Sequence, residues 1–543
     1  MKRIGRKTLS LLLALCMVLS PLPVFAAAEG EVNTFDALKT ALQSGETITL
    51  GGNITITETL TIPDGVTING GGYTLSAPIT GVSEAGIVQT GSDYTLLTVA
   101  SGSTVTLKNM TVMGGSKTGI SNEGTLTMEN VTVTRSGYGK TDHYPKDGGG
   151  GIKNTNGNLI LKNCSIVRNV SDFGGGIVNE GGKVVMDGCS LSENRSLHKN
   201  GGGGAAENKL SPNYPYNPGV MYINNSVISN NTSSEIGGAI NNYHATLYLM
   251  NSTVTGNATT KSASAGGGIG INAGTLYAVN SIISDNDYYN TSDNTVTPSD
   301  IGNYYANNNN TLYLYYSACG TICNTAKTTN LPDNSNIADV TNIFAGYADN
   351  SITNADGTSY QTLFSHPILT RVSDTDSRLY APLKAGHGTV TGGAAETFFD
   401  YSIDSSNNLS VKMSYKAASG GAETPLGDLA TGGAKVTTYI EGGTRAANVM
   451  GASGVSDKTY YSVRLLPPTG GTVSGATTYG DGYPEGTQIH LIAAASEGNA
   501  FGCWLDGGNV ISNTADWSPR VNHNMLLTSV FHSGSYSYTL TAP

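Results

Sequence analysis

A short phrase returns down the middle of this chain and constrains its fold more than any other feature. It reads Gly-Gly-Ile-x-Asn, a spacer, an alternating run of the Leu-x-Leu-x-Asn-small-x-Ile kind, and a closing Asn. The first copies are Gly119-Ile120-Ser121-Asn122 with Leu126 to Ser136, and Gly150-Gly151-Ile152-Lys153-Asn154 with Leu159 to Asn169. Gly175 to Asn179 leads into Val184 to Asn194, Gly237 to Asn241 into Leu247 to Asn257, and Gly267 to Asn272 into Leu276 to Asn286. A unit this small cannot bury its apolar face alone and must stack on its neighbours. Small or medium side chains recur in one slot at Met110, Val131, Cys164, Cys189, Ser226, Ser252 and Ser281, at intervals of 21 to 37 residues. The basic turn is therefore the shorter interval, and longer ones carry insertions.

Within one copy, alternation places Leu159, Leu161, Cys164 and Ile166 inside. Asn163 and Asn169 fall at corners, matched by Asn130, Asn225, Asn251 and Asn280 and by Asn194, Asn231, Asn257 and Asn286. Stacked Asn side chains can bond from coil to coil and satisfy turn backbone. The glycines supply positive φ at the third corner. Ahead of the coils, residues 33–44 read as a short amphipathic helix with Phe35, Leu38 and Leu42 on one face and Asn33 or Thr34 as N-cap. Such a helix would cover the open apolar end of the stack.

Lys2, Arg3, Arg6 and Lys7 precede the apolar stretch Leu11 to Leu19 and the small residues Ala26 to Ala28, the signature of a secretory signal peptide. Its removal takes four basic residues from a formal charge of −11, leaving about −15. That charge argues against nucleic acid or an anionic membrane as a partner. No later stretch is long and apolar enough for a transmembrane segment. Cys164 and Cys189 share a slot in consecutive coils and read as stacked core thiols, with a disulfide not excluded by spacing; Cys319 and Cys323 could close a small loop. The expected organisation is signal peptide 1–26, cap 27–46, coils 47–330, an irregular C-terminal coil and β region 331–455, and a distinct module 456–543. The run Ala446 to Asp457 reads as a linker.

The repeats resemble the right-handed parallel β-helix family of bacterial surface proteins, in the choice-of-anchor and polymorphic outer-membrane style of GGGIxN followed by LxLxNSxIxxN. The Phe-x-x-Asn tetrad of some polymorphic members is missing here. The resemblance implies an all-β, pectate-lyase-like solenoid with an N-terminal helical cap and a small C-terminal β module. From Tyr460 the texture changes. Tyr461 to Leu465, Gly470 to Gly475, Tyr483 to Leu491, Phe501-Gly502-Cys503-Trp504 and Leu526 to Phe531 resemble, in that order, a divergent internalin-type B repeat. That resemblance implies a spacer or contact module of secreted proteins, with Phe501 and Trp504 in its core.

Two places could carry function. The outward residue between the inward Leu positions becomes Tyr in four successive coils, Tyr222, Tyr248, Tyr277 and Tyr313. Tyrosines stacked about 5 Å apart would suit a sugar chain, or else would brace the sheet or lie under another segment. Insertions also gather at one corner, at 137–147, 195–200, 232–236, 258–265 and 287–299, and make a decorated rim. The rim holds Asp142, His143, Lys146 and Asp147, with Arg168 and Asp172 beside them. Polysaccharide lyases on this fold use acidic Ca²⁺ ligands with a Lys or Arg base, and glycosidases use two spaced carboxylates. Either could be assembled from these residues, as could an ordinary solvated loop cluster. No nucleophile elbow, zinc-protease motif, phosphate loop or EF-hand is present.

The expectation is a secreted or wall-associated, non-catalytic, adhesin-like scaffold. Its ligand residues are Tyr222, Tyr248, Tyr277 and Tyr313, and its partners are a polysaccharide or a cell-wall or host-surface glycan or protein. No cofactor is expected, Ca²⁺ entering only with a lyase. The alternatives are a polysaccharide lyase or glycoside hydrolase, and a structural wall or matrix protein.

Overall fold

From Thr47 to Ile337 the chain winds as a parallel β-helix, and nearly every element is a strand. The computed structural model describes residues 31–533, apart from 46, 83–87, 91–93, 138–147, 199–200, 305–309, 324–327, 330–335, 338–339, 341, 354–358, 374, 467 and 476–480. The signal peptide expected at 1–26 lies outside the described residues.

Each coil runs through three walls. The first sheet takes two strands per coil, such as Asn158–Lys162 and Ser165–Val167. Leu126, Leu159, Val184, Met221, Leu247, Leu276 and Leu312 pair in one unbroken register down it. All seven are buried in a single core with Leu161, Cys164 and Ile166. A slip of one residue would turn the whole row outward, so the alternating pattern fixes the register. Between the two strands sits the expected corner Asn in left-handed backbone, at Asn109, Asn130, Asn163, Asn225, Asn251 and Asn280. Asn is the non-glycine residue that enters this region most readily. The second sheet carries the Ile of the glycine motif, as in Ile152–Thr155 and Ile177–Glu180. The glycines before it are sterically required. At Gly203, φ is +69° and an added Cβ would meet the Ala206 carbonyl oxygen at 1.8 Å.

The corner insertions are more ordered than a loop rim. Their first residues build a third sheet from Val170–Ser171, Arg195–Ser196, Thr232–Ser233, Ala258–Thr259 and Asp287–Asn290, closed by the antiparallel Thr295–Pro298. Inside the corner, the backbone N–H of Asn169 donates to Asn194 Oδ1 at 3.0 Å. The same bond recurs through Asn231, Asn257 and Asn286 and ends on Asp300. A second ladder joins Asn122, Asn154, Asn179, Asn208 and Asn242 through their side chains at 2.7–2.9 Å. In the shared slot, Cys189 N–H donates to Ser226 Oγ, and Ser226, Ser252 and Ser281 continue to Ser317. Paired in this way, polar groups sit in the core without the cost of an unmade bond. Cys164 and Cys189 are buried free thiols in that row, and Cys319 and Cys323 are free as well.

The helix Phe35–Ala41, extended by the 3₁₀ turn Leu42–Ser44, lies at the open N-terminal end. Thr34 is its N-cap, accepting from Ala37 N–H at 3.2 Å. Leu38 and Leu42 are buried in the solenoid core, with Phe35 packed against it. The apolar face read from the sequence is thus the capping face.

Past Ile337 the described chain folds back instead of adding coils. Strands Glu396–Ile403 and Leu409–Lys416 form a hairpin flanked by Thr424–Pro425 and Ala434–Lys435. This sheet lies on the outside of the first wall. At its tip, Asn158 Nδ2 donates to the Asn407 carbonyl at 2.7 Å. At its base, Ala394 N–H donates to Asn280 Oδ1 at 3.0 Å. The hairpin therefore runs along the solenoid axis, across successive coils. The corner Asn row is its docking rail: Arg378 Nη1 donates to Asn163 Oδ1, Arg445 Nη2 to Asn225 Oδ1, and Asn251 bonds Thr397. The linker expected at Ala446 to Asp457 is corrected here. Met450 and Ala452 are buried, Gly451 N–H donates to the Asn280 carbonyl, and Val455–Ser456 pairs in parallel with Leu383–Lys384. This stretch has the small-residue composition of a linker, but Met450 and Ala452 pack on the coils.

Beyond it, a five-stranded mixed sheet and a three-stranded antiparallel sheet enclose a separate core of Val463, Leu491, Trp504 and Leu527. Trp504 is fully buried, with Phe501 tilted against it at 5.7 Å between centroids, as the sequence suggested.

Candidate functional site

The tyrosines fall where the repeat puts them. Tyr222, Tyr248, Tyr277 and Tyr313 pair in direct register. Their rings stack at 5.2, 5.0 and 4.7 Å, within 10° of parallel. The strip is not open along its length: two of the four rings expected to face a ligand lie under another segment. Tyr222 and Tyr248 are buried in a core shared with Phe399, Val411, Met413 and Leu426 of the folded-back sheet. Tyr277 and Tyr313 are half-buried. Gly427, in left-handed backbone, lies over the rings so closely that a Cβ there would come within 3.0 Å of Tyr277. The Tyr248 hydroxyl donates to Asp428 Oδ1. Burial, reinforced by the Asp428 charge, pushes the Tyr222 hydroxyl up to about 12 and Tyr248 beyond it. Two tyrosines of the ladder are thus spent on joining the solenoid to its own C-terminal part.

The corner cluster is only partly described. Asp142, His143, Lys146 and Asp147 lie outside the described residues. Arg168 sits in left-handed backbone and its Nε donates to Glu193 Oε2 of the next coil at 2.7 Å. Glu193 has the same backbone conformation, so the pair is a cross-coil brace at equivalent corners. Asp172 is 2% exposed, and its Oδ2 has no hydrogen-bond partner. Burial raises its carboxyl pKa, and His198 partly opposes the shift. Asp172 therefore answers to His198, whereas Arg168 is held by Glu193.

The third sheet explains this neighbourhood and reveals three residues that sequence reasoning passed over, Phe173, Glu235 and Lys261. Ser171, Ser196, Ser233 and Thr259 are in register. Two positions on, Phe173, His198, Glu235 and Lys261 therefore form a row along the axis. The Phe173 and His198 rings are 5.7 Å apart, and Lys261 Nζ reaches Glu235 Oε1 at 2.9 Å. Burial raises Glu235, with Lys261 and then His198 acting against it. The recurring hydroxyl residue two places earlier was the available signal. Insertions of unequal length hid it. Next to this row, Glu180 and Glu207 are bridged by Lys209 at 3.4 Å each, and Lys209 Nζ lies 4.9 Å over the Phe173 ring. Two Glu and the two cations Lys153 and Lys209 balance, which makes this a closed brace.

A groove of about 460 Å³ opens where the folded-back segment meets the corner Asn row, lined by Lys162, Asp187, Asn224, Phe399, Lys435 and Glu441 among others. Burial raises Asp187, with the Asn224 bond opposing. Arg378 at its wall is already committed to Asp376 and the Gly188 carbonyl. Among the described residues no group of three or more His, Cys, Asp or Glu is placed to hold a metal ion. Of Asp142, Asp147 and Asp172, on which a Ca²⁺ site would draw, Asp172 alone is described, and it is buried. No described helix is long and apolar enough to cross a membrane.

Residues 29–139, covering the cap and first coils, match a family described as a pectate lyase-like adhesive domain. No curated protein and no solved structure matches the chain.

Proposed function

We propose that this chain is a non-catalytic, adhesin-like scaffold of the cell surface or extracellular space that binds a glycan. The observation that carries this reading is the use made of the solenoid's long outer face. An enzyme acting on a polymer needs an open cleft to seat it. Here the ladder-bearing wall is occupied by the chain's own hairpin, from Asn158 to Asn280. The adhesive-domain match over residues 29–139 supports the same reading. So does the negative charge, which disfavours nucleic acid and anionic membrane. The module from Tyr460 then serves as a spacer or wall-contact unit of internalin-B-repeat type, and the basic and apolar N-terminal residues direct export.

A second reading rests on Asp172. A buried carboxyl with a raised pKa, an unpartnered oxygen and a facing His198, with Glu235 one coil further along, has the chemistry of a general acid. Incubation of the full chain with neutral and uronate polysaccharides separates the two. New reducing ends, or unsaturated products absorbing in the ultraviolet, would overturn the non-catalytic reading. Retention on the polymer with its chain length unchanged is the expected result.

A further inference from the structure

Along the second wall, the turn leading into the first wall is short, and in most of the middle coils it has the same length. Two residues separate Asn122 from Thr125, Thr155 from Asn158, Glu180 from Lys183, Tyr243 from Thr246 and Asn272 from Thr275. Four residues separate Ile62 from Thr67 and Val99 from Thr104, and six separate Asn303 from Asn310, but one coil departs much further. Ten residues, Leu210 to Gly219, separate Ala206–Lys209 from Val220–Asn224. The solenoid closes with two, so these ten are not needed for the fold. A long insertion in a repeat that closes without it marks a functional loop.

The loop is built to hold its shape. Ser211 is buried, and its Oγ donates toward the Asn213 and Pro215 carbonyls at 2.9 Å while accepting from Asn217 N–H at 3.1 Å. Ser211 N–H donates to the Asn217 carbonyl at 2.8 Å, closing the base. Pro212, Pro215 and Pro218 restrict the remaining backbone. What this frame presents is aromatic. Tyr214 is 86% exposed and Tyr216 61%, with ring centroids 6.2 Å apart and planes near perpendicular. Among the described residues no other large apolar side chain is as exposed as these two. Tyr243, 37% exposed, stands at the same corner of the next coil, because Asn208 pairs with Asn242 and the loop departs just beyond. Its ring meets His244 edge-on at 4.5 Å.

We propose that loop 211–219 is a carbohydrate-binding element that stacks Tyr214 and Tyr216, with Tyr243 beside them, on the sugar rings of a neutral polysaccharide. A tyrosine offers a flat apolar face and a hydroxyl with few rotors to freeze, and the fixed frame has already ordered these two. Residues 210–219 carry no charge, and the polar side chains among them are Asn213, Asn217 and the buried Ser211, which suits hydroxyl groups and not carboxylates. The exposed rings offer a few hundred Å² together, well short of the roughly 800 Å² per partner of a stable protein interface. A polymer of repeated sugars gains from avidity what one small contact lacks.

This inference rests on the binding reading above and assigns it a place distinct from the covered ladder. The test is affinity electrophoresis of the full chain through gels cast with galactomannan, β-glucan or polygalacturonate. Tyr214→Ala/Tyr216→Ala and a variant with 211–218 replaced by a two-residue turn run alongside, each first shown to melt as the parent does. Retardation in a neutral gel is expected, with both variants losing on the order of tenfold in apparent affinity. Equal retardation of parent and variants would overturn the loop assignment and leave glycan binding standing. Retardation in polygalacturonate alone would overturn the neutral class. If the parent runs freely in every gel, the loop and the glycan reading fall together.

Discussion

Two sets of tyrosines meet opposite fates in this molecule. Tyr222, Tyr248, Tyr277 and Tyr313 are set by the repeat, stacked at 4.7–5.2 Å, and the first two are buried under a distant hairpin. Tyr214 and Tyr216 come from an insertion that breaks the repeat, and they stand in solvent. The residue type is the same and the chemistry of the ring is the same. The difference lies in what the periodic position commits. A ladder gives a long apolar strip at a predictable place, which is what another segment of the same chain needs for docking. An insertion escapes the register and can point away from everything the chain already contains. In a solenoid, regularity favours self-contact and irregularity leaves surface for others.

The largest effect expected from this contrast is at Tyr248. Tyr248→Ala removes a buried ring between two stacked neighbours and the hydroxyl that bonds Asp428. Loss of a large aromatic from a packed site costs about 3–5 kcal/mol. Thermal melting should show a drop of several degrees and earlier proteolysis within 394–436. A melting curve matching the parent's would mean that the hairpin does not depend on the ladder.

Next is the polar counterpart inside the coil. Asn231 Oδ1 accepts from the backbone and side chain of Asn194, and Asn231 Nδ2 donates to the carbonyls of Leu191 and Ser229 and to Asn257. Asn231→Ala leaves several buried groups unpaired, at a cost of about 1–3 kcal/mol for each that finds no water. Chemical denaturation should show a loss of that order, while Asn231→Asp, which keeps the acceptor, loses less at acidic pH than at neutral pH.

These two cases also show what the amino-acid order makes legible. The inward row of Leu159, Leu161, Cys164 and Ile166, the corner Asn residues and the Leu38 and Leu42 face of the cap each depend on neighbours one turn away, so local pattern is enough. The cover on Tyr248 depends on Asp428 and Met413, far along the chain, and a hairpin alternating Phe399, Val411 and Met413 reads like any other strand. The same distance made Ala446 to Asp457 look like a linker. The row of Phe173, His198, Glu235 and Lys261 was hidden for another reason. Its register is carried by two-residue strands separated by insertions of unequal length, too brief to show a period. Loop 211–219 was not singled out: the 37-residue interval from Cys189 to Ser226 signalled extra residues, but only the contrast with two-residue turns at the equivalent corners shows where they lie.

A smaller effect is expected at the end of the Asn row, where Asp300 takes the place of Asn. Its Oδ1 accepts from Asn286 and its Oδ2 from Thr321 N–H. Burial, with Asp285 and Asp287 adding to it, raises its carboxyl to about 8. An unfolded Asp titrates near 3.9, so the folded state holds the extra proton between these values. Stability from this group is full below about pH 4 and is lost as pH rises through about 8. Asp300→Asn should flatten that slope in melting curves taken across the range. Asp285 and Asp287, raised to about 6 and about 7, act with the same sign and leave part of it. A slope unchanged by the substitution would place the titration elsewhere.

The smallest effect is the one that sharpens the comparison most. Tyr214→Ala/Tyr216→Ala removes two rings that touch little besides each other, from a loop whose frame is held by Ser211 and prolines. Surface substitutions of this kind stay within about 0.5 kcal/mol. The melting temperature should therefore match the parent's, in contrast to the loss at Tyr248. A large destabilisation would mean that Tyr214 and Tyr216 are packing residues after all, and that the insertion, like the ladder, serves the chain itself.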